Sequence, residues 1–255
     1  MNPAAAVWVK SMAEFKMEIA GHTAQVRSLF ESTKDYFKSY LSDKEPEFTI
    51  EVSREDLIFE QEELLEEAKL EGFRKRIFTD MFLERAAIQR KFAEFLFDRD
   101  VLLFHGSTIA VDGRAYLFTA KSGTGKSTHT RLWREVFGNR AVMVNDDKPF
   151  LKITDEGVFA YGSPWSGKHG LDANITVPLQ GICVLERGKE NRIRRADREE
   201  VMARLRHEAY CPLDGAKEEK FLALVEWLAE KTPLWRMECT KEAQAAQAAY
   251  DAMSE

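Results

Sequence analysis

Lys126 and Ser127 close the run AKSGTGKS over residues 120–127. The run fits the phosphate-loop pattern Gly/Ala-x-x-x-x-Gly-Lys-Ser/Thr, with Ala120 where the strict form has Gly. Gly123 and Gly125 let the backbone turn its N–H groups inward around phosphate oxygens. Lys126 brings a positive point charge to the outer phosphates, and Ser127 offers its hydroxyl to Mg2+. A helix starting near Lys126 adds its positive dipole end. Lys121, Ser122, Thr124 and Thr128 belong to the same segment. The residue types predict a nucleotide-phosphate site; a Gly-rich turn is the plain alternative.

About 20 residues beyond Lys126, Asp146 and Asp147 follow the apolar run AVMV. That distance suits one helix and a returning strand, and ligand sites in α/β sheets gather at the carboxyl ends of strands. Mg2+ takes one or two carboxylates together with nucleotide phosphates. A second carboxylate can accept a hydroxyl proton in phosphoryl transfer. The alternative for the pair is an Asx turn leading into Lys148-Pro149. A second Gly-rich stretch, YGSPWSGKHG over 161–170, comes next. Lys168 is placed to meet a transferring phosphoryl group, and Trp165 to stack on a ligand. The alternative there is a long turn with a buried Trp and a solvated Lys. Arg187 and Arg192 follow the last strand, where approach to phosphates is one reading, but a solvated basic stretch is the reading preferred.

The elements that must hold these residues are legible in outline. Apolar and polar residues alternate over Phe15–Ile19 and Phe48–Val52, as in half-buried strands. Helical spacing runs from Val26 to Leu41 and again over 78–98. The acidic stretch from Glu51 to Glu71 reads as a solvated helical face or surface loop. Thr108–Val111 and Ala115–Thr119 flank Asp112-Gly113, a tight-hairpin signal because both turn residues need positive φ. The second strand feeds the phosphate loop, and a helix follows over Lys126–Phe137. Strands are predicted at Val101–Phe104, Ala141–Val144, Leu151–Ile153, Val158–Ala160, Ile175–Val177, Ile182–Glu186 and Leu234–Cys239. C-terminal helices are predicted at Arg198–Glu208, Ala216–Glu230 and Lys241–Ala252. The division is an N-terminal α+β region, 1–98, and an α/β nucleotide-binding domain, 99–255.

Composition bounds the rest. With 255 residues, 44% apolar and 31% charged, the chain has ample material for a core. No apolar run approaches the roughly 18 residues of a membrane helix, and Met1 to Lys10 lacks the pattern of a signal peptide. A net charge of −6 argues against general nucleic-acid binding. Cys183, Cys211 and Cys239 are scattered, which reads as reduced buried filler in a soluble cytoplasmic protein. His22, His129 and His207 carry no predicted chemistry, and Trp133, Trp227 and Trp235 read as core.

The layout of HGS (105–107), TIAVDGRAYLFTAKSGTGKST (108–128) and VNDD (144–147) resembles the C-terminal catalytic domain of bacterial HPr serine kinase/phosphorylase. It also looks like the nucleotide core of phosphoenolpyruvate carboxykinase, which shares that fold: a mixed sheet in which a β-hairpin feeds the P-loop. The resemblance covers 101–153 and, more weakly, the strands to Glu186. It is strongest to HPr-kinase-like proteins in which a GSPWSGK-type segment follows the acidic pair, here 162–168. The resemblance implies ATP and Mg2+ as cofactors. Residues Ala120 to Thr128 would hold the phosphates, Ser127 and one aspartate (Asp146) the metal, and the other aspartate, with Asp147 favoured, would be the base. His105 would support the catalytic aspartate; a hydrogen-bonded core histidine is its alternative. The HPr kinase signature segment after the acidic pair is replaced by GSPWSGKHG, and the N-terminal region does not resemble that family's regulatory domain, so HPr itself is not implied as substrate. The extra segments of the carboxykinases are absent.

Two functions from different classes remain open at this stage. One is an ATP- and Mg2+-dependent kinase moving the γ-phosphoryl to a hydroxyl of a small molecule or peptide. The other is a nucleotide-binding sensor or assembly module without transfer activity. An ordinary P-loop ATPase or GTPase would lack the hairpin, and no N-K-x-D segment marks GTP selectivity.

Overall fold

The computed structural model describes residues 12–70 and 77–255. Met1 to Lys10 and Glu71 lie outside them. The chain divides into two compact units, Met1–Phe92 and Ala93–Glu255. The sequence division at residue 98 lies a few residues further on, at the end of a helix.

In the first unit, strands β1 (Ala13–Ile19) and β2 (His22–Ser28) form an antiparallel hairpin through Ala20 and Gly21. Helix α1 (Ser32–Tyr36) and a 3-10 turn follow, and β3 (Phe48–Glu51) pairs parallel with β2. The helix expected over Val26–Leu41 is therefore mostly absent. Ala24, Val26 and Ser28 are buried while Gln25 and Arg27 face outward, so β2 carries a period of two. That alternation ends in apolar residues at Leu29, Phe30 and Phe37, which happen to continue at helical spacing.

Helices α2 (Arg54–Leu70) and α3 (Asp80–Phe97) follow, the second close to the expected 78–98. Ser53 and Asp56 form a capping box at the start of α2: Asp56 N–H donates to Ser53 Oγ, and Ser53 N–H donates to Asp56 Oδ2. The acidic stretch is only partly a solvated face. Glu55, Glu62, Glu63 and Glu66 are exposed, but Asp56 and Glu60 turn inward to Arg90 and Lys91.

The second unit is a mixed α/β structure around a curled sheet. Its strands are β4 (Val101–Leu103), β5 (Ser107–Val111), β6 (Arg114–Thr119), β7 (Ala141–Asn145), β8 (Phe150–Thr154), β9 (Gly157–Tyr161), β10 (Thr176–Arg187), β11 (Arg192–Arg195) and β12 (Leu234–Cys239). Along the sheet the order is β4-β8-β9-β10-β6-β5-β7, with β12 also on β10 and β11 on β12. β6 and β12 run parallel to β10; the other pairs are antiparallel. The two strands expected at Ile175–Val177 and Ile182–Glu186 are one, β10, which leaves β9 after Pro178 and continues beside β6. β11 was hidden in the basic stretch, whose charges line an outer strand.

The β5–β6 hairpin turns at Asp112 and Gly113, both at positive φ. Alternation along it separates two cores. Ala110, Ala115 and Leu117 pack toward α5 (Arg198–Glu208) and α6 (Glu218–Lys231), beside Val201, Leu205, Leu224 and Leu228. Ile109, Val111, Tyr116 and Phe118 pack toward α4 (Lys126–Phe137) and α7 (Ala243–Met253), beside Trp133, Phe137 and Ala249. Helices thus cover both faces of the central strands. Trp133 and Trp235 are core residues, as expected. Cys183 is buried and burial pushes its thiol pKa up, whereas Cys211 lies exposed in the connector after α5 and is no filler. Among the described residues, no helix is long and apolar enough to cross a membrane.

Candidate functional site

The hairpin delivers the chain into the loop at Thr119, whose hydroxyl donates to the carbonyl of His105 at 3.2 Å. Ala120 is buried, Lys121 to Gly123 are exposed, and the loop closes with Thr124 N–H donating to Lys121 O. Gly123 and Gly125 sit at φ +75° and +127°, where other residues are strained. The Lys126 ammonium folds back to donate to Ala120 O at 3.2 Å. Since this contact is to a backbone carbonyl, Ala in place of the usual Gly does not remove it. Burial lowers the Lys126 pKa, against the opposing charges of Glu208 and Asp147. No side chain caps the start of α4 and no acidic residue occupies its first turn, so its leading N–H groups face the loop unblocked.

Asp146 and Asp147 emerge from the end of β7. Ser107, at the start of β5, donates to Asp146 Oδ1 at 2.6 Å. Thr130 on α4 lies 2.8 Å from Ser107 Oγ and 3.5 Å from Asp146 Oδ1. These two hydroxyls tie the aspartate to the helix that carries Lys126 and Ser127. Asp146 is buried, and its Oδ2 accepts no hydrogen bond among the described residues. Asn145 supplies the Asx turn: its Oδ1 accepts from the N–H groups of Asp147 (2.7 Å) and Lys148 (2.6 Å). The turn and the clustered carboxylates are therefore the same feature.

Asp147 faces His105. His105 Nε2 is 3.4 Å from Asp147 Oδ1, and its Nδ1 is 2.8 Å from Glu208 Oε2 at the end of α5. Glu208 also receives Arg204 at 2.9 Å. Burial works to raise the Glu208 pKa, but His105, Arg204 and Lys126 outweigh it and the net shift is downward. The backbone repeats the link: His105 N–H donates to Glu208 O, and Gly106 N–H to Asp147 O.

The second Gly-rich stretch lies against the acidic pair. Asn145 Nδ2 donates to the carbonyl of Ser163 (2.8 Å), and Ser163 Oγ donates to Lys148 O (2.6 Å). A Cβ on Gly162 would sit 1.8 Å from Ala173 O, so that position must be glycine. A Cβ on Gly167 would sit 3.2 Å from Asp147 Cβ, and its φ is +68°. Lys168 follows directly, exposed, in a single 3-10 turn. Trp165 is buried and edge-on to Phe150 at 6.3 Å, so it is core and does not stack on a ligand.

Comparison with known proteins adds little to this geometry. No protein-family model matches the chain. No curated protein matches it either. Among solved structures, it is similar to the Hpr(Ser) kinase/phosphatase from Coxiella burnetii, with 9% identity, a TM-score of 0.34, and coverage of 60% of this chain and 99% of that one. A TM-score of that size establishes no shared fold.

The fold thus brings residues 120–128, Asp146, Asp147, His105 and the glycine before Lys168 to one end of the β5–β7 strands. Lys121 and Ser122 stand at the exposed tip of the loop. Arg187 is exposed, as expected of a solvated stretch, and its guanidinium also donates to Gly123 O (2.5 Å) and Thr124 O (3.3 Å), whereas Arg192 pairs with Glu190 in solvent. His129 stays outside the chemistry. It is buried, accepts from Trp133 Nε1, and burial lowers its pKa to about 4. Thr130 and Glu208 escaped the sequence reading, and Ser107 and Asn145 stood in the HGS and VNDD runs without a role of their own. Thr130 had a local signal, lying one helical turn beyond Lys126 and Ser127.

The donor set suits Mg2+. Among the described residues no three His, Cys, Asp or Glu side chains converge as a cage. A free carboxylate oxygen on Asp146 and the Ser127 hydroxyl match an ion that takes few protein ligands and completes its shell with phosphates and water.

Proposed function

We propose that this protein is an ATP- and Mg2+-dependent kinase that moves the γ-phosphoryl to a hydroxyl of a small molecule or peptide. The observation carrying the proposal is the tie from Asp146 through Ser107 and Thr130 to α4, because it joins the carboxylates to the helix bearing Lys126 and Ser127. The pattern resemblance to HPr serine kinase/phosphorylase supports the same reading.

In this mechanism the N–H groups of 121–127 and the Lys126 ammonium bind the β- and γ-phosphates. Lys126 exchanges its contact with Ala120 O for phosphate oxygen. Ser127 and Asp146 would hold Mg2+, which when bound neutralises phosphate charge. Asp147 is the more exposed carboxylate and accepts the acceptor's proton as its oxygen attacks phosphorus. Lys168, beside Asp147 through Gly167, meets the equatorial charge that develops.

Incubation with ATP and a metabolite pool, scored for phosphorylated products, tests the proposal. Asp147→Asn should bind ATP as wild type does and lose transfer by about 100-fold. Equal turnover of that variant would contradict the assignment of the base. ATP bound without transfer to any acceptor would favour the sensor over the kinase.

A further inference from the structure

Glu208 closes α5, where the helix dipole disfavours a carboxylate, and it is buried, which disfavours it again. Such a group persists only with cationic or donor partners, and Glu208 has one for each oxygen. Oε2 meets His105 Nδ1 at 2.8 Å and Oε1 meets Arg204 Nη1 at 2.9 Å. A carboxylate only accepts, so His105 Nδ1 carries the proton. Nε2 lies 3.4 Å from Asp147 Oδ1, beyond the roughly 2.7–3.2 Å usual for an N–H···O bond, and keeps the lone pair.

We infer that Glu208 is a positioning residue of this site, holding His105 in the Nδ1–H tautomer with Nε2 toward Asp147. The inference rests on the kinase reading for its functional sense but on geometry for its structure.

The role gives the proton a path. The acceptor O–H bond breaks as its oxygen forms the new bond to phosphorus, and the bond from phosphorus to the ADP oxygen breaks, leaving its electron pair on ADP. The proton passes to an Asp147 oxygen and on to the lone pair of His105 Nε2. The resulting imidazolium is balanced by Glu208 until it releases the proton to solvent. The carboxylate orients and stabilises the imidazole without being protonated itself.

Nitrogen-15 NMR of the histidine side chains, in wild type and in Glu208→Gln, tests this without any substrate. Wild-type His105 should be the Nδ1–H tautomer. Glu208→Gln, whose amide can donate to Nδ1, should shift it toward Nε2–H. In the transfer assay the same variant should lose about 100-fold in kcat with the ATP KM changed less than about 3-fold. An Nε2–H tautomer in wild type overturns the inference even if the variant does not fold. So does an unchanged His105 in a folded variant. A wild-type protein that transfers no phosphoryl group overturns the kinase reading instead, while the tautomer still decides what Glu208 does.

Discussion

The two units both bury charge, but they complete it differently. Between α2 and α3, Arg90 spans Asp56 (3.1 Å) and Glu60 (2.6 Å), Lys91 reaches Asp56 (2.7 Å), and Ser53 donates to the same carboxylate. Every one of those charges is answered by a neighbour. Around the glycine-rich loop over 120–127 the charges are answered only in part. Lys126 holds one backbone carbonyl, Asp146 leaves an oxygen without a partner, and Lys168 stands in solvent. A saturated cluster fixes helices together; an unsaturated one, with donors and acceptors converging on a space, is arranged for something else. The sequence is misleading on this point, because most of the acidic excess lies in the first unit while the candidate site lies in the second.

The sharpest contrast comes from Arg90→Ala. It leaves buried Glu60 without its cation and Asp56 with Lys91 alone, and should cost about 3 kcal/mol of stability, read from denaturant unfolding. Nucleotide affinity per folded molecule should not change. A variant as stable as wild type would break the comparison by showing that the cluster fixes nothing.

A smaller effect is expected at Arg187, which pins the outer side of the loop through two carbonyls. Arg187→Met keeps the stem and removes the donors. At about 1 kcal/mol of lost loop ordering, nucleotide affinity should weaken about 5-fold, with the melting temperature nearly unchanged. Unaltered affinity would remove Arg187 from the site.

Two of the buried glutamates, Glu84 and Glu208, give the finest test. Burial raises the pKa of Glu84, and hydrogen bonds from Thr33, Leu29 and Phe30 do not offset it. Cations lower that of Glu208 despite burial. The signs follow by linkage. Folded Glu84 binds its proton more tightly than unfolded, so its contribution is full at acid pH and is lost as pH rises through its folded pKa. Glu208 contributes above the unfolded value and loses that as pH falls through its folded pKa. Carbon-13 titration of the two carboxyls should place Glu84 above 4.5 and Glu208 below; the reverse order would reject the contrast.

What could be read beforehand was local. Lys126–Phe137, Arg198–Glu208 and Leu234–Cys239 are bounded in the structure as their periodicity predicts, and the Asp112-Gly113 turn announces the hairpin. The loop and the acidic pair were visible because their residues are consecutive. Ser107 is 39 residues from Asp146, and Glu208 lies more than 100 from His105, so no spacing could link them. Arg187 looked like solvated surface because the carbonyls it binds belong to a distant turn. Val26–Leu41 misled for another reason: the apolar residues of a strand and of the segment after it fall by chance at helical spacing.

Titration of MgATP into wild type and into Lys126→Ala by calorimetry bears most directly on the account. Saturable one-to-one binding to wild type is expected, and its loss, by about 100-fold or more, in a Lys126→Ala protein that melts as wild type does. Equal affinity in the two proteins, or no binding to wild type, would contradict it.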